Sequence, residues 1–281
     1  MKKRAPTRAS RADVSGATRG ASRWIRTILR MDASHPDLAA VFDVIENLQV
    51  RPHRTSVLIR GEPGTGKEGL AHALHELMCG PRAPFVPVHA VGRWDAAGGE
   101  LFGAGGLARK ADGGTLFFDG VLKLSGEVQY RLAELLRNGV VPIGKRTLRS
   151  DVRLIACTEH DLGAMVRTGQ FRNDLYYRMA RIVLTLPPLR DRPRDVRRSV
   201  IWIGNRVLGR AGDPRTLQPI VDRDPEGAIG LTEGAVEALS AHSWPGNFRE
   251  LEAVMERALL VFLGDARDLS AEHVQRAIAV G

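Results

Sequence analysis

The apolar and polar positions fall into a regular pattern from about residue 36 onward. Pro36–Leu48 places Leu38, Val41, Phe42, Ile45 and Leu48 three or four residues apart, the period of an amphipathic helix, and Ser34 precedes it as a suitable cap. Apolar runs of strand length then recur at 56–59, 85–88, 115–118, 153–157 and 182–186, separated by helix-period segments such as 66–78 and 126–137. Alternating strands and helices predict an α/β fold, a parallel five-stranded sheet covered by helices on both faces. Beyond Pro187-Pro188 the strand signal stops, and 193–208, 232–242, 247–262 and 270–279 read as helices of a small all-helical unit. The stretch 209–230, with three prolines and several acids, reads as a loop.

Charge adds a third region. Residues 1–30 hold nine basic side chains against the single acid Asp13, so most of the formal net charge of +9 sits there. Such a tail buries too little apolar surface to offset its ordering entropy, and 1–22 is expected to be disordered. It could hold nucleic acid or an acidic partner by counterion release, simply solubilise the chain, or serve as a transit segment. The expected division is a tail at 1–30, an α/β domain at 31–188 and a helical domain at 189–281. No apolar run approaches the roughly 20 residues of a membrane helix, so no membrane partner is expected. Cys79 and Cys157 lie far apart in apolar segments. They suggest neither a disulfide framework nor a metal site, and a reducing, cytoplasmic compartment is the expectation.

Two motifs carry chemistry. Gly61-Glu62-Pro63-Gly64-Thr65-Gly66-Lys67 follows a predicted strand and opens a predicted helix, the context of a phosphate-binding loop. There the glycines let backbone N–H groups turn inward, the helix adds its positive end, and Lys67 reaches the terminal phosphate oxygens. Glu68 stands where a Ser or Thr magnesium ligand is usual. Gly113-Gly114-Thr115-Leu116-Phe117-Phe118-Asp119 has the form of a second nucleotide strand, with Asp119 placed to hold Mg²⁺ or its waters, or merely to cap the following turn. Gly120 occupies the next position, where a catalytic acid would orient the attacking water.

These motifs, with Glu100-Leu101-Phe102-Gly103, Phe171-Arg172-Asn173-Asp174-Leu175-Tyr176-Tyr177-Arg178, Leu186-Pro187-Pro188-Leu189-Arg190 and Trp244-Pro245-Gly246-Asn247-Phe248-Arg249-Glu250-Leu251, resemble the AAA+ central domain of bacterial enhancer-binding proteins, the sigma-54-dependent activators. The resemblance spans residues 31–281. It implies a P-loop AAA+ sheet with a helical lid, ATP and Mg²⁺ as cofactors, and Gly61, Glu62, Pro63, Gly64, Thr65, Gly66, Lys67, Glu68 and Asp119 around the nucleotide. It also implies that Arg172 and Arg178 reach a neighbouring subunit's γ-phosphate, and that Arg249 in the lid senses the nucleotide.

Several departures qualify what the resemblance implies. Only eight residues, 104–111, join Gly103 to Asp112, without the GAFTGA sequence by which the family grips sigma-54. No receiver-like segment or helix-turn-helix is read, so a dedicated enhancer reader is not expected. The acid after Asp119 is Gly120, and the asparagine that holds that acid in the family corresponds to His89. Glu159 replaces a sensor asparagine; it could stand in for the missing acid or simply face solvent. The expectation is an ATP-binding, hydrolysis-impaired relative acting as a regulatory or structural subunit. The alternatives are a slow ATPase that remodels a transcription complex and a non-enzymatic nucleic-acid-binding accessory. The partners expected are a second copy or a homologous AAA+ subunit, a transcription-machinery protein, and nucleic acid held non-specifically by the tail.

Overall fold

The structure, a computed structural model, describes residues 35–48, 55–89, 99–103, 105–143, 146–220 and 227–281. The basic tail and the Ser34 cap lie outside the described residues. The strands, in chain order, are β1 (Val57–Arg60), β2 (Phe85–His89), β3 (Thr115–Asp119), β4 (Val140–Ile143), β5 (Arg146–Arg149), β6 (Arg153–Thr158), β7 (Ile182–Thr185), β8 (Thr216–Pro219), β9 (Ala228–Leu231) and β10 (Asp268–Leu269). Two compact units result, one built from Pro36–Arg60 and Lys67–Thr185, the other from Gly61–Gly66 and Leu186–Gly281.

The first unit holds the five-stranded sheet in the order β2-β3-β6-β1-β7, every pairing parallel. All six residues of β6 are buried, as are the first four of β3, which is why these strands read as unbroken apolar runs. Pro87 stands on the edge strand β2, where a missing N–H costs no ladder bond. The helix Pro36–Leu48 forms as its period predicts, and its five apolar positions are all buried. Helix Lys67–Cys79 follows β1. Helix Gly126–Asn138 begins at Ser125, whose hydroxyl accepts from Val128 N, and ends at Gly139 in the left-handed region. Each strand end falls within a residue or two of its expected position. The antiparallel pair β4–β5 was not anticipated.

In the second unit, helices Pro193–Ala211, Glu233–Ala241, Asn247–Arg257 and Ala271–Ala279 form close to where they are expected. The third continues as a wider turn over Ala258–Phe262. Trp244, Leu251, Met255, Leu239 and Val200 are among the buried side chains of its core. The expectation that strands end at Pro188 is corrected: β8, β9 and β10 form a parallel three-stranded sheet in the order β10-β9-β8. β8 lies inside the presumed loop 209–230 and β9 begins in it; residues 221–226 are outside the described ones. Strands of two to four residues are too short to show a period of two, and Pro219 is tolerated because β8 is an edge.

One buried titratable group belongs to the fold itself. His75, on the helix Lys67–Cys79, sets Nδ1 2.8 Å from Thr115 Oγ1 and packs edge-on against Phe85. Burial, above all other influences, lowers its pKa from the ordinary 6.5. Below that value the unfolded chain therefore binds a proton that the folded chain resists. His75's contribution is complete above pH 6.5 and declines as pH falls toward the folded pKa. Denaturant melts between pH 7.5 and 5.5 are expected to lose midpoint more steeply in the parent than in His75→Gln; equal slopes would remove His75 as the cause.

Candidate functional site

The loop Gly61–Gly66 leaves β1 and enters the helix Lys67–Cys79. Gly64 and Gly66 hold φ values of 75° and 99°, a region that side-chain-bearing residues seldom enter. A Cβ on Gly64 would run into the Gly246 carbonyl and come within 3.3 Å of the Arg249 Cβ and backbone N. A Cβ on Gly61 would come within 2.9 Å of the Leu186 carbonyl and the Thr65 hydroxyl. Gly64 is thus required twice, by dihedral angle and by close backbone approach, Gly66 by dihedral angle and Gly61 by close approach.

The loop is gripped by residues well after it in the chain. The Glu62 carboxylate takes two hydrogen bonds from Arg190, at 3.0 and 2.7 Å, and a third from Asn247 Nδ2 at 3.2 Å. Asn247 Nδ2 also donates to the Pro63 carbonyl at 2.9 Å, while its Oδ1 accepts from Leu189 N at 2.6 Å. Asn247 is fully buried and holds a left-handed φ of 54°; nearby Trp244, also fully buried, holds 50°. Such angles on non-glycine residues cost free energy, and here they aim Asn247 at the loop. Trp244 is fixed by its indole N–H on the Leu239 carbonyl, and Glu250 secures the turn by accepting from Gly246 N. In the sequence this segment stands out only as a family signature, with no role attached to Asn247, to Arg190 or to Leu189. A signal existed, because an Asn opening a helix directly after Pro-Gly is a residue type that tolerates a positive φ.

In the first unit the carboxyl ends of the strands gather further groups. Asp119 closes β3, opposite His89 of β2 on one side and Cys157 of β6 on the other. Burial pushes the Cys157 thiol well above its ordinary value; Lys67 opposes that shift, and Asp119 and Glu68 reinforce it. One ammonium and two carboxylates are therefore within electrostatic reach of one buried sulfur, and the thiol stays protonated and inert. Gly120 lies at φ 86° with open space where a Cβ would stand, and its N–H reaches the Cys157 carbonyl.

The remaining sequence-predicted residues are spread out. Glu159, just past β6, is exposed and has no hydrogen bond or ion pair among the described residues. Arg172 forms a two-pronged pair with Asp174, at 3.0 and 2.8 Å, and its guanidinium lies 5.3 Å from the centre of the Tyr130 ring. That pair is the main cause of the lowered Asp174 pKa. The side chains of Arg178 and Arg249 make no hydrogen bond or ion pair among the described residues; Arg178 is half-buried and Arg249 exposed.

Residues 32–185 match the family described as the sigma-54 interaction domain. The chain belongs to that family. Residues 220–280 match a second family, the AAA+ ATPase lid domain. Among relatives of this sigma-54 interaction domain chain, the Nif-specific regulatory protein of Klebsiella pneumoniae is 35% identical over 246 residues, 82% of this chain and 44% of that protein. The alginate biosynthesis transcriptional regulatory protein AlgB of Pseudomonas aeruginosa is 36% identical, over 82% of this chain and 51% of its own length. The crystal structure of NtrX from Brucella abortus in complex with ADP superposes with a TM-score of 0.72 at 28% identity, covering 93% of this chain and 58% of that one. The chain thus spans about half the length of the relatives it matches.

Asn247 tests the grip on the loop. Asn247→Gly keeps the left-handed backbone and loses the side-chain bonds, orphaning the Leu189 N–H, which is expected to cost about 1–3 kcal/mol. Asn247→Ala should cost about 1 kcal/mol more because alanine resists that φ. Urea unfolding measures both, and a parent-like Asn247→Gly would show that the grip contributes nothing to stability.

Proposed function

We propose that this sigma-54 interaction domain chain binds ATP through Gly61–Gly66 and Lys67, hydrolyses it poorly, and acts as a regulatory or structural subunit. The observation that carries this reading is a glycine loop held in left-handed geometry by its surroundings, in a chain whose second motif ends Asp119-Gly120. Its curled backbone suits phosphate oxygens, and a Cβ at Gly64 would fill space taken by the Gly246 carbonyl. The likeness to NtrX, a protein solved in complex with ATP and with ADP, supports the same nucleotide.

Asp119 would serve Mg²⁺ only together with phosphate oxygens. Among the described residues no group of three or more His, Cys, Asp or Glu side chains is arranged to hold a metal ion by itself. Glu68, the first-turn acid of the helix, would bear on the same ion through its waters. The ion's contribution would be neutralisation of phosphate charge. Poor hydrolysis follows from the missing side chain at Gly120, since a backbone N–H cannot take a proton from water.

Arg178 and Arg249 are in our reading the residues that meet a nucleotide, Arg249 in the same chain and Arg178, with Arg172, in a neighbouring copy. Their support is that the Arg178 and Arg249 side chains make no ion pair among the described residues and that Arg172 is held by the exposed Asp174 carboxylate and the Tyr130 ring. The transcription-machinery partner is proposed from the family alone, and the shortened 104–111 link argues against the family's usual grip on sigma-54.

A second reading, slow hydrolysis, rests on the register that sets His89 beside Asp119 and on the exposed Glu159 one residue past β6. Titration and turnover on one preparation separate the two. ATP should bind, phosphate release should stay at background, and Lys67→Ala should weaken binding by about tenfold or more, the worth of a charge-assisted hydrogen bond. Phosphate release that vanishes in Lys67→Ala would favour the slow ATPase, and its loss in Glu159→Gln would make Glu159 the base. Gly120→Glu, whose Cβ would meet open space although the φ of 86° strains any side-chain-bearing residue, is expected to raise turnover of the folded variant if the missing acid is the defect.

A further inference from the structure

A loop that turns its N–H groups toward an anion must turn its carbonyls away, and each carbonyl then needs a donor of its own. Four consecutive carbonyls of this loop have one. The Glu62 carbonyl accepts from the Thr65 hydroxyl at 2.8 Å, the Pro63 carbonyl from Asn247 Nδ2 at 2.9 Å, the Gly64 carbonyl from Phe248 N at 3.0 Å, and the Thr65 carbonyl from Arg192 Nη2 at 2.9 Å. The last three donors come from outside the loop.

The Thr65 carbonyl matters most. It belongs to the same planar trans peptide as the Gly66 N–H, so the two point in opposite directions and fixing one fixes the other. Gly66 is a glycine at φ 99°, and glycine allows either orientation of that peptide. The local sequence therefore leaves the direction of this N–H undecided.

Arg192 is equipped to decide it. Its side chain is 1% exposed and paired with the fully buried Asp195 at 3.3 Å, and its guanidinium lies 5.0 Å from the centre of the Phe248 ring. Its Nε has no hydrogen-bond partner among the described residues. Burying a guanidinium with a donor unused is unfavourable, and here burial lowers its pKa despite Asp195. Salt-bridge stability alone would not require Nη2 to face a loop carbonyl.

We propose that Arg192 is a positioning residue for the phosphate loop. By holding the Thr65 carbonyl outward, it presents the Gly66 N–H on the opposite face, toward the phosphates of the nucleotide. The inference rests on the ATP-binding reading above and adds to it a residue that touches no ligand. Loss of this brace frees the Thr65–Gly66 peptide to flip and puts a carbonyl where a donor is needed.

Three measurements test it. In the parent, the Gly66 amide resonance should shift on titration with ATP. Arg192→Lys, which keeps a charge beside Asp195, should weaken ATP by about tenfold and abolish that shift, measured well below its unfolding temperature. Arg192→Gln with Asp195→Asn removes the buried ions together and should give the same loss. A purely structural Arg192 would lower the unfolding midpoint and leave the ATP affinity of folded molecules unchanged. Parent protein that binds ATP with a stationary Gly66 amide overturns the proposal, as does a folded variant that binds as tightly as the parent. Failure of the parent itself to bind ATP instead overturns the nucleotide reading, and this proposal with it.

Discussion

The structure depends on a backbone constraint in Gly61–Gly66, where the four successive carbonyls of Glu62 to Thr65 each need a donor. The loop has no regular secondary structure to meet that requirement, and the helix Lys67–Cys79 begins only after it. Donors therefore come from the chain beyond Leu186, which explains why these six residues belong to the compact unit formed by Leu186–Gly281. The strained angles at Trp244 and Asn247 and the buried Arg192–Asp195 pair belong to the same arrangement. Each is unfavourable locally and is held in place by the packing around it.

The sheet supplies the complementary part. Parallel strands buried on both faces align their carboxyl ends, so Asp119 stands between His89 and Cys157 by register alone. Charge gathers there, with Lys67, Asp119 and Glu68 all bearing on one buried thiol. What is absent is a proton acceptor after Asp119. The glycine at 120 has open space where a Cβ would stand.

Most of the first unit was legible because its elements are long enough, or apolar enough, for periodicity to show. The five core strands and the helix Pro36–Leu48 fall close to their expected bounds, and β3 and β6 were visible as continuous apolar runs. The second unit was legible in its helices and illegible in β8, β9 and β10. Those strands are short, carry Pro219, and pair β9 with a segment after two intervening helices. Nothing within four residues can announce a pairing whose partner lies that far along the chain.

The sequence alone determined the chemistry on offer: a glycine-rich turn before Lys67, a strand ending at Asp119, no acid at Gly120, and the family these motifs resemble. Residue types at fixed local spacing carry that information because backbone freedom and side-chain charge are local properties. Only the tertiary structure decided that Arg190, Arg192 and Asn247 hold the loop, since each acts on a carbonyl or carboxylate more than a hundred residues away. Hydrogen bonds over such a separation depend on how helices and turns pack, and packing is not written in any local pattern of the chain.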